Sequence, residues 1–134
     1  MNVIHIKSQS RNQLIDITRM VGDVVQQHSV QDGICIVFVP HTTAGVTVNE
    51  NADPDVQRDI LLGLERMACH ADYHHCEGNS DAHLKASLMG SSQLIPVENG
   101  SLVLGTWQGI YFAEFDGPRQ RRVIVQILNS TAGR

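Results

Sequence analysis

The sequence predicts an α+β fold: one compact domain over residues 1–134, with a large mixed, mostly antiparallel sheet and two to three helices. Three observations carry this. Ile34-Cys35-Ile36-Val37-Phe38-Val39 is continuously apolar and rich in β-branched residues, the pattern of a strand buried on both faces. Two stretches, around Met20–Val25 and Val56–Met67, repeat apolar residues at helical spacing. Beyond Gly90 four strand-like segments follow one another, so strands do not alternate one for one with helices as a βαβ array requires.

Taken in order, residues 2–9 alternate weakly and read as a strand. A polar Ser-Arg-Asn turn leads to Gln13–Thr18, a second strand expected to pair back as a hairpin. Met20, Val21, Val24 and Val25 then predict an amphipathic helix over 18–28, capped by Thr18. Asp32-Gly33 is a turn before the buried strand, which Pro40 stops. His41-Thr42-Thr43-Ala44-Gly45 is a loop, and Val46–Val48 a short strand delivering Asn49 and Glu50. Asp53-Pro54 is a helix-start signal, Asp53 as N-cap and Pro54 at the first helical position. That helix runs to about Met67. Residues 73–83 form a loop into another helix that begins near Ser80 or Asp81 and ends at Met89, with Asp81 and Lys85 one turn apart. Strands follow at 94–97, 102–104, 106–115 and 122–128, separated by Glu98-Asn99-Gly100 and Asp116-Gly117-Pro118 turns.

The composition excludes several classes. A hydrophobic share of 42% against 18% charged residues is that of a folded domain, not a disordered chain. A net charge of -4 speaks against broad electrostatic binding to nucleic acid. The apolar run 34–39 is far too short to span a bilayer, and the N-terminus lacks a signal-peptide pattern, so a cytoplasmic protein without a membrane partner is expected. The cysteines Cys35, Cys69 and Cys76 are odd in number and form no CxxC pair, which fits a reducing compartment.

The chemistry-bearing residues concentrate in two places. Tyr73-His74-His75-Cys76-Glu77-Gly78-Asn79-Ser80-Asp81-Ala82-His83 gathers three of the seven histidines, and His70 lies just upstream. His75 and His83 flank a Gly78-Asn79 turn able to fold them toward one point, as metal ligands or an acid–base pair; surface histidines are the plain alternative. His41 follows a buried strand and a proline, beside the hydroxyls of Thr42 and Thr43, while Gly45 permits close backbone approach to a ligand. A third imidazole from His41 completes a set of three nitrogen ligands with one position left open. Asn49 and Glu50 serve as ligand, base or orienting group, or else as hydrogen-bonding partners of the helix start. Cys69 and Cys76 read as semi-buried thiols, Cys35 as a core residue. Gly105-Thr106-Trp107-Gln108-Gly109 marks a close approach of backbone or of a flat ligand, or a core tryptophan with a bulge. Lys85, Arg119, Arg121 and Arg122 are the candidate phosphate partners, although the run 119–122 reads first as a solvated edge or a subunit contact.

Together these residues resemble the YjbQ-like family, described as secondary thiamine-phosphate synthases and long uncharacterised. The resemblance rests on His41-Thr42-Thr43-Ala44 with Asn49-Glu50 and Asp53-Pro54; on Tyr73, His75, Gly78, His83, Lys85 and Ser87; and on Gly90-Ser91-Ser92, Pro96, Gly100 and Gly105-Thr106-Trp107-Gln108-Gly109. It implies a homotrimer with a site near subunit boundaries that takes a small phosphorylated substrate. The implied reaction joins a pyrimidine methyl diphosphate to a thiazole phosphate with release of pyrophosphate. Under that reading His41, Glu50 and Lys85 are catalytic, and Thr42, Thr43, Asn49 and Trp107 bind substrate. His41, His75 and His83 hold a divalent metal ion, zinc or magnesium. Two other readings compete: a metal-dependent hydrolase of a phosphate ester or small cyclic substrate, and a non-enzymatic trimeric metal- or ligand-binding protein.

Overall fold

The computed structural model describes residues 1–68, 73 and 78–130. The element order is β1 (Asn2–Lys7), β2 (Gln13–Asp16), α1 (Thr18–Gln27), β3 (Gly33–Phe38), β4 (Ala44–Glu50), α2 (Pro54–Ala68), α3 (Ser80–Met89), β5 (Ser92–Glu98), β6 (Ser101–Leu102), β7 (Gln108–Glu114) and β8 (Gln120–Asn129). The fold class is α+β. The strands divide into a five-stranded sheet, ordered β1-β8-β3-β5-β6, and a three-stranded sheet, ordered β2-β7-β4. Every pairing in both is antiparallel.

The two sheets pack face to face. Val37, Val123 and Val125 from the larger sheet meet Val46, Ile110 and Phe112 from the smaller, and α1 adds Val21, Val24 and Val25. The core is aliphatic, as a chain with 4% aromatic residues requires. On the far side of the three-stranded sheet, α3 packs Ala82 and Ala86 against Ala113 and Phe115, with Leu61 and Leu64 of α2 alongside. Strand β7 therefore feeds both layers by the period-two alternation of its side chains: Ile110 and Phe112 turn inward between the sheets, Ala113 toward the helices.

Several local expectations are corrected. β1 and β2 do not form a hairpin; β1 pairs with β8 and β2 with β7, in different sheets. Thr18 is not the cap of α1. Asp16 accepts hydrogen bonds from the Thr18 amide at 2.9 Å and its hydroxyl at 2.5 Å, while Thr18 Oγ1 accepts from the amide of Ile110 at 2.8 Å. β4 is longer than the Val46–Val48 strand expected, because all of Ala44–Glu50 pairs with β7. The Asp53 cap of α2 is as read: its carboxylate accepts from the amide of Asp55 at 2.9 Å. Among the described residues, no helix is long and apolar enough to cross a membrane.

Candidate functional site

Strand β3 ends at Phe38, and Pro40 turns the chain so that His41, Thr42 and Thr43 cross the end of the five-stranded sheet before β4 begins. By register, Arg122 of β8 lies where residue 40 would have paired had β3 continued. Its amide N–H has lost a strand carbonyl, and His41 replaces it: Arg122 N–H donates to His41 Nε2 at 3.0 Å. Only a deprotonated nitrogen can accept that bond, so the neutral ring carries its proton on Nδ1. Burial and the neighbouring Arg121 guanidinium hold the His41 pKa below the ordinary histidine value, which favours the same neutral form.

Helix α3 flanks this loop. One groove of about 520 Å³ is lined by His41, Thr42, Ala44, His83, Ala86 and Ser87, together with Gly90 and Ser91. A second, of about 370 Å³, is lined by His41, Thr42, Thr43, His83, Asn79 and Arg119, among others. His41, Thr42 and His83 belong to both, so they occupy the shared wall of one continuous depression. Gly45 makes a close approach to backbone. A Cβ there would lie 2.6 Å from the Gly90 carbonyl oxygen, so its lack of a side chain lets β4 meet the end of α3.

A buried ion pair supports the floor. Glu114 is fully buried at the end of β7 and Arg121 is nearly so on β8. Arg121 Nε donates to the two carboxylate oxygens at 2.9 and 3.2 Å, and Nη2 donates to Oε2 at 2.5 Å. The same Nη2 reaches Thr43, donating to its hydroxyl at 2.7 Å and its carbonyl at 3.2 Å. Ser8 donates to Glu114 Oε1 at 2.6 Å and the amide of Asp116 to Oε2 at 3.1 Å. Burial alone would raise the Glu114 pKa, but the bonds from Arg121, Ser8 and Asp116 outweigh it and hold the carboxyl below its usual range. At the rim, Arg119 pairs with Asp116 at 3.1 Å, and Asn79 donates to the same carboxylate oxygen at 2.8 Å.

The remaining expected site residues lie elsewhere. Lys85 is buried on the side of α3 away from the groove. Its amine contacts Glu65 of α2, Asn12 Oδ1 at 3.1 Å and Asp81 at 3.6 Å, which makes it a tie between helices. Asn49 and Glu50 are at the other end of β4, about 20 Å from Thr43 at the rise of an extended strand. There Asn49 Oδ1 accepts from the Glu50 amide at 2.7 Å, and Glu50 Oε2 accepts from the Ala52 amide at 3.2 Å. Trp107 is at that end too, 62% exposed, next to an Asn51 amide that donates to its carbonyl at 2.8 Å. It is neither a core tryptophan nor part of the groove. His75, Cys69 and Cys76, with His70 and His74, fall outside the described residues.

His75, one of the three expected metal ligands, falls outside the described residues, so the structure bears on the metal only through His41 and His83. The His41 lone pair is committed to Arg122, and among the described residues no three His, Cys, Asp or Glu side chains are grouped to hold an ion. Sequence reasoning gave Glu114 no role, read Asn79 and Asp116 only as turn residues, and offered Arg121 as a candidate phosphate partner without its pairing to Glu114. Arg121 is not the solvated edge that the run 119–122 suggested. The one available signal was Glu114 itself, a carboxylate in the otherwise apolar run Ile110–Phe115 on the inward parity of Ile110 and Phe112.

Two antiparallel sheets backed by helices, with a histidine-threonine loop facing α3, define an α+β class that comparison identifies. The model of the family "UPF0047 protein YjbQ-like" matches residues 2–130, and the chain belongs to that family. It is 51% identical over 124 residues to a UPF0047 protein of Methanocaldococcus jannaschii, covering 92% of this chain and 90% of that one. It is 47% identical over 130 residues to the UPF0047 protein YugU of Bacillus subtilis, covering 96% and 98%. A crystal structure of an uncharacterised YjbQ/UPF0047 protein from Clostridium acetobutylicum superposes with a TM-score of 0.94 at 58% identity, over 96% of this chain and all of that one.

These comparisons correct the functional expectation. The relatives carry only the UPF0047 designation and the solved structure is called uncharacterised, so thiamine-phosphate synthesis has no support from them. The geometry agrees, because Lys85 and Glu50, expected to be catalytic, and Trp107, expected to bind substrate, do not all meet at one place. The hydrolase reading finds no support in these relatives either, and Glu50 stands at the other end of β4 from His41.

Proposed function

We propose that the groove between the His41 loop and α3 recognises the oxyanion of a small phosphorylated molecule through neutral hydrogen-bond donors. The observation that carries this reading is the Arg122-to-His41 hydrogen bond, which leaves His41 with a donor at Nδ1 and no protein acceptor for it among the described residues. Thr42 adds a hydroxyl, and His83 of α3 lines the same depression as a second imidazole. Arg119 at the rim contributes positive charge, and α3 begins beside the groove with the positive end of its dipole. Among the described residues Asp116 is the one carboxylate lining the groove, and Arg119 and Asn79 already hold it.

The test is titration with inorganic phosphate followed by heteronuclear NMR. Saturable shifts confined to residues around His41, Thr42 and His83 are expected, with His41→Ala and His83→Ala each weakening binding by roughly tenfold. Absence of saturable shifts, or equal affinity in both variants, overturns the reading.

We infer also that further copies of the chain cover the outer face of the five-stranded sheet, as a homotrimer. Ile34, Phe38, Leu94 and Leu128 support this: all four are exposed by 40% or more and stand on one face of adjacent strands. Sedimentation velocity of the purified chain is the test; a monomer at micromolar concentration rules the assembly out.

A further inference from the structure

Resting on that reading, we propose that the buried Glu114–Arg121 pair is a positioning device that holds the His41 ring as the Nδ1–H tautomer facing the groove. The pair grips the loop at two neighbouring points. Arg121 takes the hydroxyl and carbonyl of Thr43, two residues after His41. Arg122, the next residue on the same strand, takes His41 Nε2 through its backbone. Thr43 is held from a second direction, because its carbonyl also accepts the amide of Phe115 at 3.1 Å, one residue beyond Glu114. The loop is therefore clamped between the ends of β7 and β8, and Glu114 fixes the distance between those ends.

Elementary energetics supports a role beyond stability. A buried ion pair contributes little net stability compared with well-packed apolar residues, so its value here lies in geometry. The planar guanidinium is suited to that work. It faces the carboxylate through Nε and Nη2 while the same Nη2 reaches the threonine, a fork that an ammonium group cannot reproduce. Ser8 and the Asp116 amide add bonds to the carboxylate, which orients it without touching the groove. His41 needs such help. An imidazole has two neutral tautomers, and the Nε2–H form would place a donor against the Arg122 N–H.

The experiment uses the full chain labelled with 15N-histidine and reads the His41 tautomer from long-range proton–nitrogen spectra, with and without inorganic phosphate. Wild type is expected to show the pure Nδ1–H pattern. Thr43→Val removes one acceptor from Arg121 and leaves the buried pair intact; a mixed tautomer and roughly tenfold weaker phosphate binding are expected. Thr43→Ser, which restores the hydroxyl, should return both to wild type. Arg121→Lys, where it folds, should behave like Thr43→Val. A pure Nδ1–H pattern and unchanged affinity in Thr43→Val overturn the proposal, and leave the phosphate reading standing if wild type binds. A mixed tautomer in Thr43→Val, in a protein that never binds phosphate, upholds the positioning role and sinks the phosphate reading instead.

Discussion

His83 and Lys85 are two residues apart on α3 and serve opposite sides of it: His83 lines the groove, while Lys85 is sealed against α2. Two residues along an α-helix correspond to a rotation of about 200°, so neighbours in sequence become opposites in space. The two should therefore separate experimentally. Lys85→Met leaves Glu65, which is half-exposed, free to rehydrate, and Asn12 and Asp81 without the amine. A stability loss of about 1–3 kcal/mol in urea unfolding is expected, with phosphate-induced shifts at His41 unchanged. Lost phosphate binding in a folded Lys85→Met protein would place the lysine in the site after all.

Glu114 gives a pH prediction with a definite sign. Its carboxyl is held below the ordinary value in the folded chain, so the folded state binds fewer protons than the unfolded one. The contribution to stability is complete above about pH 4.5, the unfolded value, and is lost as pH falls through the lower folded value. Glu114→Gln leaves Arg121 buried without a counter-charge and should cost about 3–5 kcal/mol at pH 7. The gap between wild type and Glu114→Gln, measured by urea unfolding, should narrow as the medium is acidified below pH 4.5. A gap independent of pH contradicts the ion pair.

His41 works in a different window. Its pKa is lowered by burial and by Arg121, so here too the folded state binds fewer protons, now below the ordinary histidine value of 6.5. Its contribution is complete above pH 6.5 and is lost as pH falls from there through the folded value. Protonation puts a hydrogen on Nε2 and ends the bond from Arg122. The expected outcome is a His41 titration midpoint below 6.5 by NMR, with the Arg122 amide resonance moving at the same midpoint; a midpoint above 6.5 refutes the assignment.

Much of the fold was legible because local chemistry writes local structure. The Asp53-Pro54 helix start and the run Ile34–Val39 each announce an element through residues only a few positions apart, although β3 is buried on one face only, with Ile34 and Phe38 exposed on the other. Partner choice was not legible in the same way. The polar turn after β1 signals a reversal without saying which strand will be adjacent, and β1 goes to β8 at the far end of the chain. In the site, His41, Thr42 and His83 stood out as unusual residue types near strand and helix ends, and the fold brings them to one groove. Glu50 and Trp107 stood out equally, yet β4 carries Glu50, and the start of β7 carries Trp107, to the other end of the sheet. The pairing of Glu114 with Arg121 was hidden for another reason. A charged residue in a strand reads as surface unless its partner is known, and that partner is seven residues away across a turn.

Gly45→Ala tests whether the groove depends on the contact between β4 and α3. The added Cβ would sit 2.6 Å from the Gly90 carbonyl oxygen and 3.1 Å from Met89 Cγ, and the Gly90 oxygen already accepts the amide of Val46 at 3.1 Å. A methionine side chain can give way, but the carbonyl belongs to the backbone that ends α3, so the helix end must move. Overpacking of this kind costs about 1–3 kcal/mol. Because Ala44, Gly90 and Ser91 line the larger arm of the groove, the displacement should also reach the ligand site. We expect a lower urea midpoint and weaker phosphate binding together, with amide shifts concentrated at Ala44–Thr47 and Met89–Ser92. Full stability with wild-type affinity would show that β4 and α3 have room to separate, and that the groove wall does not rely on glycine at this position.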